Sequence, residues 1–455
     1  MQSLVKTRQS KVIVLIVIII LGSCLGNLSQ TALNAMFSGI ATDFGVDVGL
    51  GQWVTTIYML VLGITVPVVT FLMRRFTLKH LVMGAFALLL VGSVIDVVAG
   101  DFYSLICGRV LQAVSAGITV PMMMSVIMTS FPRDRQATVM GIAGIAMGFA
   151  PNIGPTIGGW MIGVAGWRSF FVALLVCSAV LVVAAYFLID EGEHPGHDAK
   201  LDVVSFLLSA IGFGCLLVGF SNASTYALSH VLVWLPVVVG ALALAVFVKR
   251  QRRIDHPLID MSIFSSEKYR IGFWASNFLF ASFMGITLIL PLYVENVMGG
   301  TALDAGLALL PGTFAAFFIN PLAGWLTDRI GARPVVLVSG GFLFVGAAAM
   351  AFLSADSPFW LVVVLQGLRA CGVSGLISPL TTWSMADLSH DVMTDGSSFG
   401  TAARQACASM GTALMVFVVT LGPALGSSAL GYRLAFGVSA LFALGLFVSV
   451  IAKVR

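Results

Sequence analysis

The chain has 455 residues, 59% of them in the AVILMFWYC set and only 10% charged, with a net charge of +4 and a mean hydropathy of +1.03. A soluble domain carries about 25% charged residues, so there is too little polar surface here to cover a water-soluble body of this size. That excludes a soluble enzyme, a nucleic-acid binder and a disordered chain, and leaves an integral membrane protein.

A spanning helix needs about 20 mostly apolar residues. Cutting the sequence at charge clusters and Gly/Pro/Asn turns predicts fourteen spans: 12–33, 51–73, 80–99, 103–129, 137–163, 168–189, 203–222, 230–249, 270–294, 303–327, 334–354, 359–383, 396–422 and 431–452. The first is too long for a signal peptide, lacks an A-x-A end and carries Asn27, Ser29, Gln30 and Asn34 in its last turns, so it reads as span 1. The longest hydrophilic stretches, 190–202 and 249–270, are too short for a soluble domain. With the N-terminus inside, 19 of the 24 Lys and Arg fall in inner segments, two (Arg168 and Arg433) in outer ones and three within spans. By the positive-inside rule both termini are therefore expected in the cytoplasm.

The six cysteines all fall in apolar runs and read as small hydrophobes. The six histidines are scattered, with His194, His197 and His256 in inner loops, and no metal site is expected. No Walker A motif is present, so no ATP drive or other cofactor is expected.

Charges inside spans carry the most information, because burying one costs at least about 2.5–3.5 kcal/mol on insertion scales. They are Asp96, Arg109, Arg369 and Arg404. Asp96 lies about one turn from the outer end of span 3 and Arg109 at similar depth in span 4, so a pair across this hairpin is expected. Two readings stand: a structural ion pair or an Asp96 reaching to the interface, or a proton-exchanging Asp96 tuned by Arg109. Glu295, near the outer end of span 9, is a second candidate proton carrier and could equally be a loop carboxylate. Asn27, Gln30, Thr31, Asn34, Gln112, Asn277 and Asn320 are candidates for lining a substrate cavity, since an amide in lipid needs a partner. Trp53 and Tyr58 are aromatic candidates for the same cavity, against the plainer reading of lipid or helix contact.

The sequence also repeats. Gly324-Trp-Leu-Thr-Asp328-Arg329-Ile-Gly331-Ala-Arg333 is imperfectly matched by 70–79: Leu72 and Leu326, like Arg75 and Arg329, differ by 254, and Arg109 and Arg369 by 260. The repeat implies an N-terminal six-helix half at 1–190 and a C-terminal half at 270–455. Two linker helices with their loops, at 191–269, lie between. Two such halves around a central cavity form a transporter architecture.

The residues at this point resemble the major facilitator superfamily, and in particular its fourteen-span drug:proton antiporter branch. The G-x-L-x-D-R-x-G-x-R signature is complete at 324–333; R-x-x-Q-G appears as Arg109-Val-Leu-Gln112-Ala113; G-P-x-x-G-G appears as Gly154-Pro155-Thr-Ile-Gly158-Gly159. The stretch Pro257–Phe264 also looks like that branch, and Gln30-Thr31-Ala-Leu-Asn34 resembles its lincomycin-efflux-like members. The fold this implies is an all-α membrane protein, a major-facilitator-type bundle of 14 transmembrane helices. The function it implies is export of amphipathic drugs or toxic compounds across the cytoplasmic membrane by proton antiport with alternating access. The expected partners are those substrates, protons and membrane lipids, with no nucleic acid, and the protein is expected to be a monomer and not an enzyme.

Within that resemblance the span-5 segment 141–159, with Gly141, Gly144, Gly148, Gly154, Gly158, Gly159, Pro151 and Pro155, implies a pliable interface between halves. Asp328, with Arg329, Gly331 and Arg333, implies a turn that holds one conformation closed. The chain departs from the pattern in two places. Arg74 and Thr77 replace the Asp and Gly of the first-half turn, which puts a first-half latch in doubt. Ser29 stands where many members carry an Asp, so the proton carrier is unassigned. Two other readings remain: an exporter of one endogenous metabolite or lipid, and a non-transporting sensor on a transporter fold. The intact span-5 and second-half motifs argue against the sensor.

Overall fold

The computed structural model describes residues 2–191, 201–223, 226, 230–255, 257–423 and 426–451. His194, His197 and His256 lie outside them, as do Lys200, Lys453 and Arg455. Among the described residues the regular structure is all helical, and fourteen helices are long and apolar enough to cross a membrane. These are span 1, Lys11–Ala35; span 2, Trp53–Arg75; span 3, Leu78–Val98; span 4, Phe102–Ser130; span 5, Gln136–Ala165; span 6, Arg168–Leu188; and span 7, Val203–Asn222. They continue with span 8, Val231–Gln251; span 9, Glu267–Asn296; span 10, Asp304–Ile330; span 11, Ala332–Met350; span 12, Phe359–Met385; span 13, His390–Leu421; and span 14, Ser428–Ile451. The largest departure from the sequence expectation is span 13, which starts at His390 and so brings Asp395 inside the helix.

The boundaries follow local chemistry. Asp101 and Ser104 form a reciprocal capping box at the start of span 4, as do Thr301 and Asp304 at span 10. Ser266 accepts from Tyr269 N–H to open span 9. Span 10 stops at Gly331, whose φ of 86° favours glycine. Valine, leucine and phenylalanine side chains remain exposed along the outside of spans 6, 8 and 11, an arrangement that lipid accommodates and water does not. Spans 4, 5, 9 and 12 are the most enclosed, and span 8 the least.

Lys11 pairs with Asp190 across the start of span 1 and the end of span 6. This end of the bundle, where odd-numbered spans begin, is called the basic end below. Spans 7 and 8 form a hairpin against spans 2 and 13, with Phe213 edge-on to Phe399. Their basic ends are pinned by Arg250, whose Nε and Nη2 donate to Asp202 at 3.0 and 3.1 Å. These bonds hold the Asp202 carboxyl down at about 2. Gln251 accepts from Leu258 and Ile259 N–H. The segment Pro257–Phe264 is thereby folded under the bundle, with Ile259 and Ile263 fully buried and Phe264 packed on Tyr269, Phe273 and Phe399.

Candidate functional site

A buried polar cluster inside the first six spans centres on Arg109. Spans 3 and 4 approach closely at Gly108, where a Cβ would land on Asp96 Oδ1. Asp96 is fully buried, yet no ion pair joins it to Arg109. Gln112 stands between them: its Nε2 donates to Asp96 Oδ2 at 2.7 Å and its Oε1 accepts from Arg109 Nη1 at 2.7 Å. The direct pair expected from sequence is thus corrected to a bridged one. Asp96 Oδ1 has no hydrogen-bond partner among the described residues.

Span 1 supplies the rest of the cluster. Arg109 Nη1 donates to Ser29 Oγ at 2.6 Å and Nη2 to Ser29 O at 3.0 Å, while Nε donates to Val54 O at 3.2 Å. Its guanidinium lies 4.3 Å from the centre of the Tyr58 ring, and the Tyr58 hydroxyl donates to Gly26 O. Gly26 and Ser29, three residues apart, share the helix face turned to spans 2 and 4. Gln30 and Thr31 are buried on other faces, and Thr31 Oγ1 donates back to Asn27 O. Asn27 Nδ2 donates to Ser23 O, while Asn34 and Trp53 are exposed towards the other end of the bundle. Ser29, where the sequence departs from the family pattern, is therefore the residue of this stretch that engages Arg109.

The two groups of six spans meet at the basic end through two clasps. In one, the Asp328 carboxylate at the end of span 10 accepts from Ala137 N–H at 3.1 Å, Thr138 N–H at 2.7 Å and the Thr138 hydroxyl. These are orphan donors of the first turn of span 5, so an acid from the other half caps that helix. Gly324 permits the approach, since a Cβ there would land on the Ala137 carbonyl oxygen. In the other clasp, Arg74 Nη2 at the end of span 2 donates to Asp395 Oδ2 of span 13 at 2.8 Å, with Arg74 half-exposed and Asp395 fully buried. Arg74 precedes Asp328 by 254 residues and Thr138 precedes Asp395 by 257. The second clasp is therefore the repeat-related copy of the first with its polarity reversed. The doubt that Arg74 and Thr77 raise over a first-half latch is answered here: Arg74 is paired, and the acid it pairs with lies on span 13. Ser125–Thr394, Ser378 to Ala137 O and Ser397 to Pro121 O add further bonds at this end.

The comparisons with known proteins fit this geometry. The sequence profile of the Major Facilitator Superfamily matches residues 19–412. The chain belongs to that superfamily. It is 33% identical over 407 residues to the uncharacterized MFS-type transporter YcnB of Bacillus subtilis, covering 90% of this chain and 86% of that protein. It is 29% identical over 423 residues to the lincomycin resistance protein LmrB of Bacillus subtilis, covering 91% of this chain and 87% of that one. Among solved structures, the Escherichia coli fucose:proton symporter FucP superposes with a TM-score of 0.64 at 15% identity, over 96% of this chain and 98% of that one. This is a multi-pass membrane transporter of the superfamily and not an enzyme.

The superfamily motifs separate by position. In span 5, Gly141, Gly144 and Gly148 face Asn320 of span 10, whose Nδ2 donates to Gly144 O at 3.0 Å beside a π-helical turn at Ile145–Phe149. The end of the same motif does not lie between halves. Gly154 and Gly158 pack on Thr31 and Ala32 of span 1, Pro155 is half-buried and Gly159 is open. The expectation is corrected for one end of the segment: Gly141, Gly144 and Gly148 touch the other half, whereas the Gly-Pro-Gly-Gly end fastens span 5 to span 1. Asn320 is enclosed in this helix contact. Arg329 stacks on Trp325 at 4.2 Å and Arg333 is exposed, so neither joins the clasp. Glu295 is exposed at the far end of span 9. Asn277 is buried with both amide atoms unpartnered among the described residues.

Sequence reasoning did not single out Asp395, Gln366 or Asn152. Asp395 fell one residue outside the expected span 13. The repeat offsets of 254 and 260 applied to Thr138 bracket the window 392–398 that contains it. Substituting Gly324 by Ala should push spans 5 and 10 apart and open the basic end. A cysteine placed at buried Ser378 should then be labelled by a bulky maleimide about tenfold faster, an equilibrium shift of about 1.4 kcal/mol. Unchanged labelling would contradict this role for the contact.

Proposed function

We propose that the protein is a secondary active exporter of the cytoplasmic membrane that moves amphipathic small molecules outward in exchange for protons. It works by alternating access between residues 1–190 and 270–455, with 191–269 as an inserted pair of helices. The name of the relative LmrB supports drug export. The concentration of Lys and Arg at one end supports a cytoplasmic basic end with both termini inside. The observation that carries the reading is the pair of clasps joining the halves at that end, with a buried ionisable cluster above them. On this reading the structure is the arrangement in which the cytoplasmic entrance is shut.

Asp96 is the better proton carrier of the two candidates, because it is buried and Glu295 is exposed. A proton arriving at the unpartnered Oδ1 of Asp96 neutralises the carboxyl and weakens the bond that Oδ2 accepts from Gln112 Nε2, and Gln112 is also the acceptor for Arg109. The loss of charge at Asp96 is thereby felt, through Gln112 and Arg109, at Ser29 and Tyr58 on spans 1 and 2. The test is uphill export of lincomycin and a dye in membrane vesicles, with Asp96→Asn and Glu295→Gln. Wild type and Glu295→Gln should accumulate substrate until a protonophore is added. Asp96→Asn should only equilibrate it, losing about 10-fold or more of the gradient, in line with loss of a residue needed for proton transfer. Full uphill export by Asp96→Asn would remove that residue as carrier.

A further inference from the structure

Arg369 repeats Arg109 at an offset of 260, but its surroundings differ. It is fully buried in span 12. Its Nε donates to Gln366 Oε1 at 2.9 Å, and its Nη1 has no partner among the described residues. Arg109 has four hydrogen bonds and an aromatic ring; Arg369 forms no ion pair among the described residues. A buried, uncompensated guanidinium is costly, and a cost of that kind retained in a membrane protein marks a functional group.

Arg369 lines a narrow cavity where span 5 of the first half meets spans 9, 10 and 12 of the second. Gly148 and Asn152 face it from span 5, Phe283 from span 9, Gly312 from span 10 and Gln366 from span 12, and none of the residues that line it is acidic. Two further donors converge there. The point where a Gly312 Cβ would lie is 3.5 Å from Gln366 Nε2 and 3.9 Å from Asn152 Nδ2. The floor at Gly312 is therefore open to a guest that these amides and the guanidinium would all donate to. Asn152 directs one N–H at Gly148 O, leaving the other amide hydrogen free to turn to the cavity.

We infer that Arg369, Gln366 and Asn152 form a site for a monoanionic group, halfway along the bundle and shared between the two halves. The converging guanidinium and amide donors and the absence of an acidic residue from the lining select negative charge. The cavity has room for about one water-sized group in this arrangement. A halide larger than water, or the carboxylate of an amphipathic molecule, enters with a small parting of spans 5 and 10. Because Asn152 lies on one half and Arg369 on the other, the bound anion strengthens their contact and favours the arrangement closed at the basic end. Treating the carboxylate as part of a transported substrate rests on the export reading above. Anion binding itself does not.

The test is thermal unfolding of the purified full chain in detergent, with no proton gradient, against a morpholinoethanesulfonate background. Sodium chloride and sodium benzoate are titrated separately at constant ionic strength. Wild type should show a saturable rise of about 2 °C or more with at least one of them, as ligand linkage requires. Arg369→Gln should lose it, Asn152→Ala should weaken it, and Arg369→Lys should keep part of it, so a folding defect in one variant leaves the others to decide. A response to chloride alone assigns the site to a solvent halide, and a response to benzoate assigns it to an organic carboxylate. No saturable response in wild type, or an unchanged response in Arg369→Gln, overturns the proposal. Neither result bears on proton-driven export, which is measured separately.

Discussion

Arg109→Ala should abolish export, by about 100-fold or more at equal protein in the membrane, and Arg109→Lys should restore little of it. The guanidinium satisfies Ser29, Gln112 and Val54 with three different nitrogens while stacked on Tyr58. A lysine ammonium cannot reproduce that planar fork. Removing it also leaves Asp96 buried with only Gln112 and no cation at the other end of the bridge. Breaking a buried charged arrangement from one side costs about 3–5 kcal/mol. Dye efflux normalised to membrane protein, with thermal unfolding beside it, separates lost function from lost folding. Near wild-type efflux by Arg109→Ala would show that the cluster is a scaffold that transport does not need.

The second large effect is an asymmetry between the partners of the reversed clasp. Arg74→Ala leaves Asp395 fully buried without its counter-charge, whereas Asp395→Ala leaves an Arg74 that is already half-exposed and can be hydrated. Arg74→Ala should therefore be the more damaging, by about 2–3 kcal/mol in the closed state, since only it strands a buried charge. A cysteine at buried Ser397, labelled from the basic end by an impermeant maleimide, reports the opening. Labelling should rise steeply in Arg74→Ala and modestly in Asp395→Ala. The exchange R74D/D395R should recover part of the closure that Arg74→Ala loses. Equal labelling in the two single variants would mean that the pair does not hold this end shut.

Both results depend on residues whose chemistry was legible in the sequence to different degrees. The spans were legible because lipid demands long apolar helices, and the Asp328 turn because its signature is complete. The Arg74–Asp395 pair was not, since its two members lie 321 residues apart and Asp395 fell just beyond an assumed helix start. Nor could composition show that Gln112 bridges Asp96 to Arg109, or that Ser29 and not Gln30 faces the arginine. Those depend on helix rotation, which a span that is apolar on most faces does not declare through periodicity. The division of the span-5 glycines between span 10 and span 1 has the same cause. Small residues mark close approach without naming the neighbour.

The central claim, exchange of an amphipathic substrate for protons, is tested most directly in proteoliposomes carrying a trapped pH indicator and only this protein. An outward-directed substrate gradient imposed without any proton gradient should drive protons inward, acidifying the lumen. Asp96→Asn should abolish that acidification while leaving substrate movement detectable. Substrate efflux at the wild-type rate with no change in lumenal pH would contradict proton antiport.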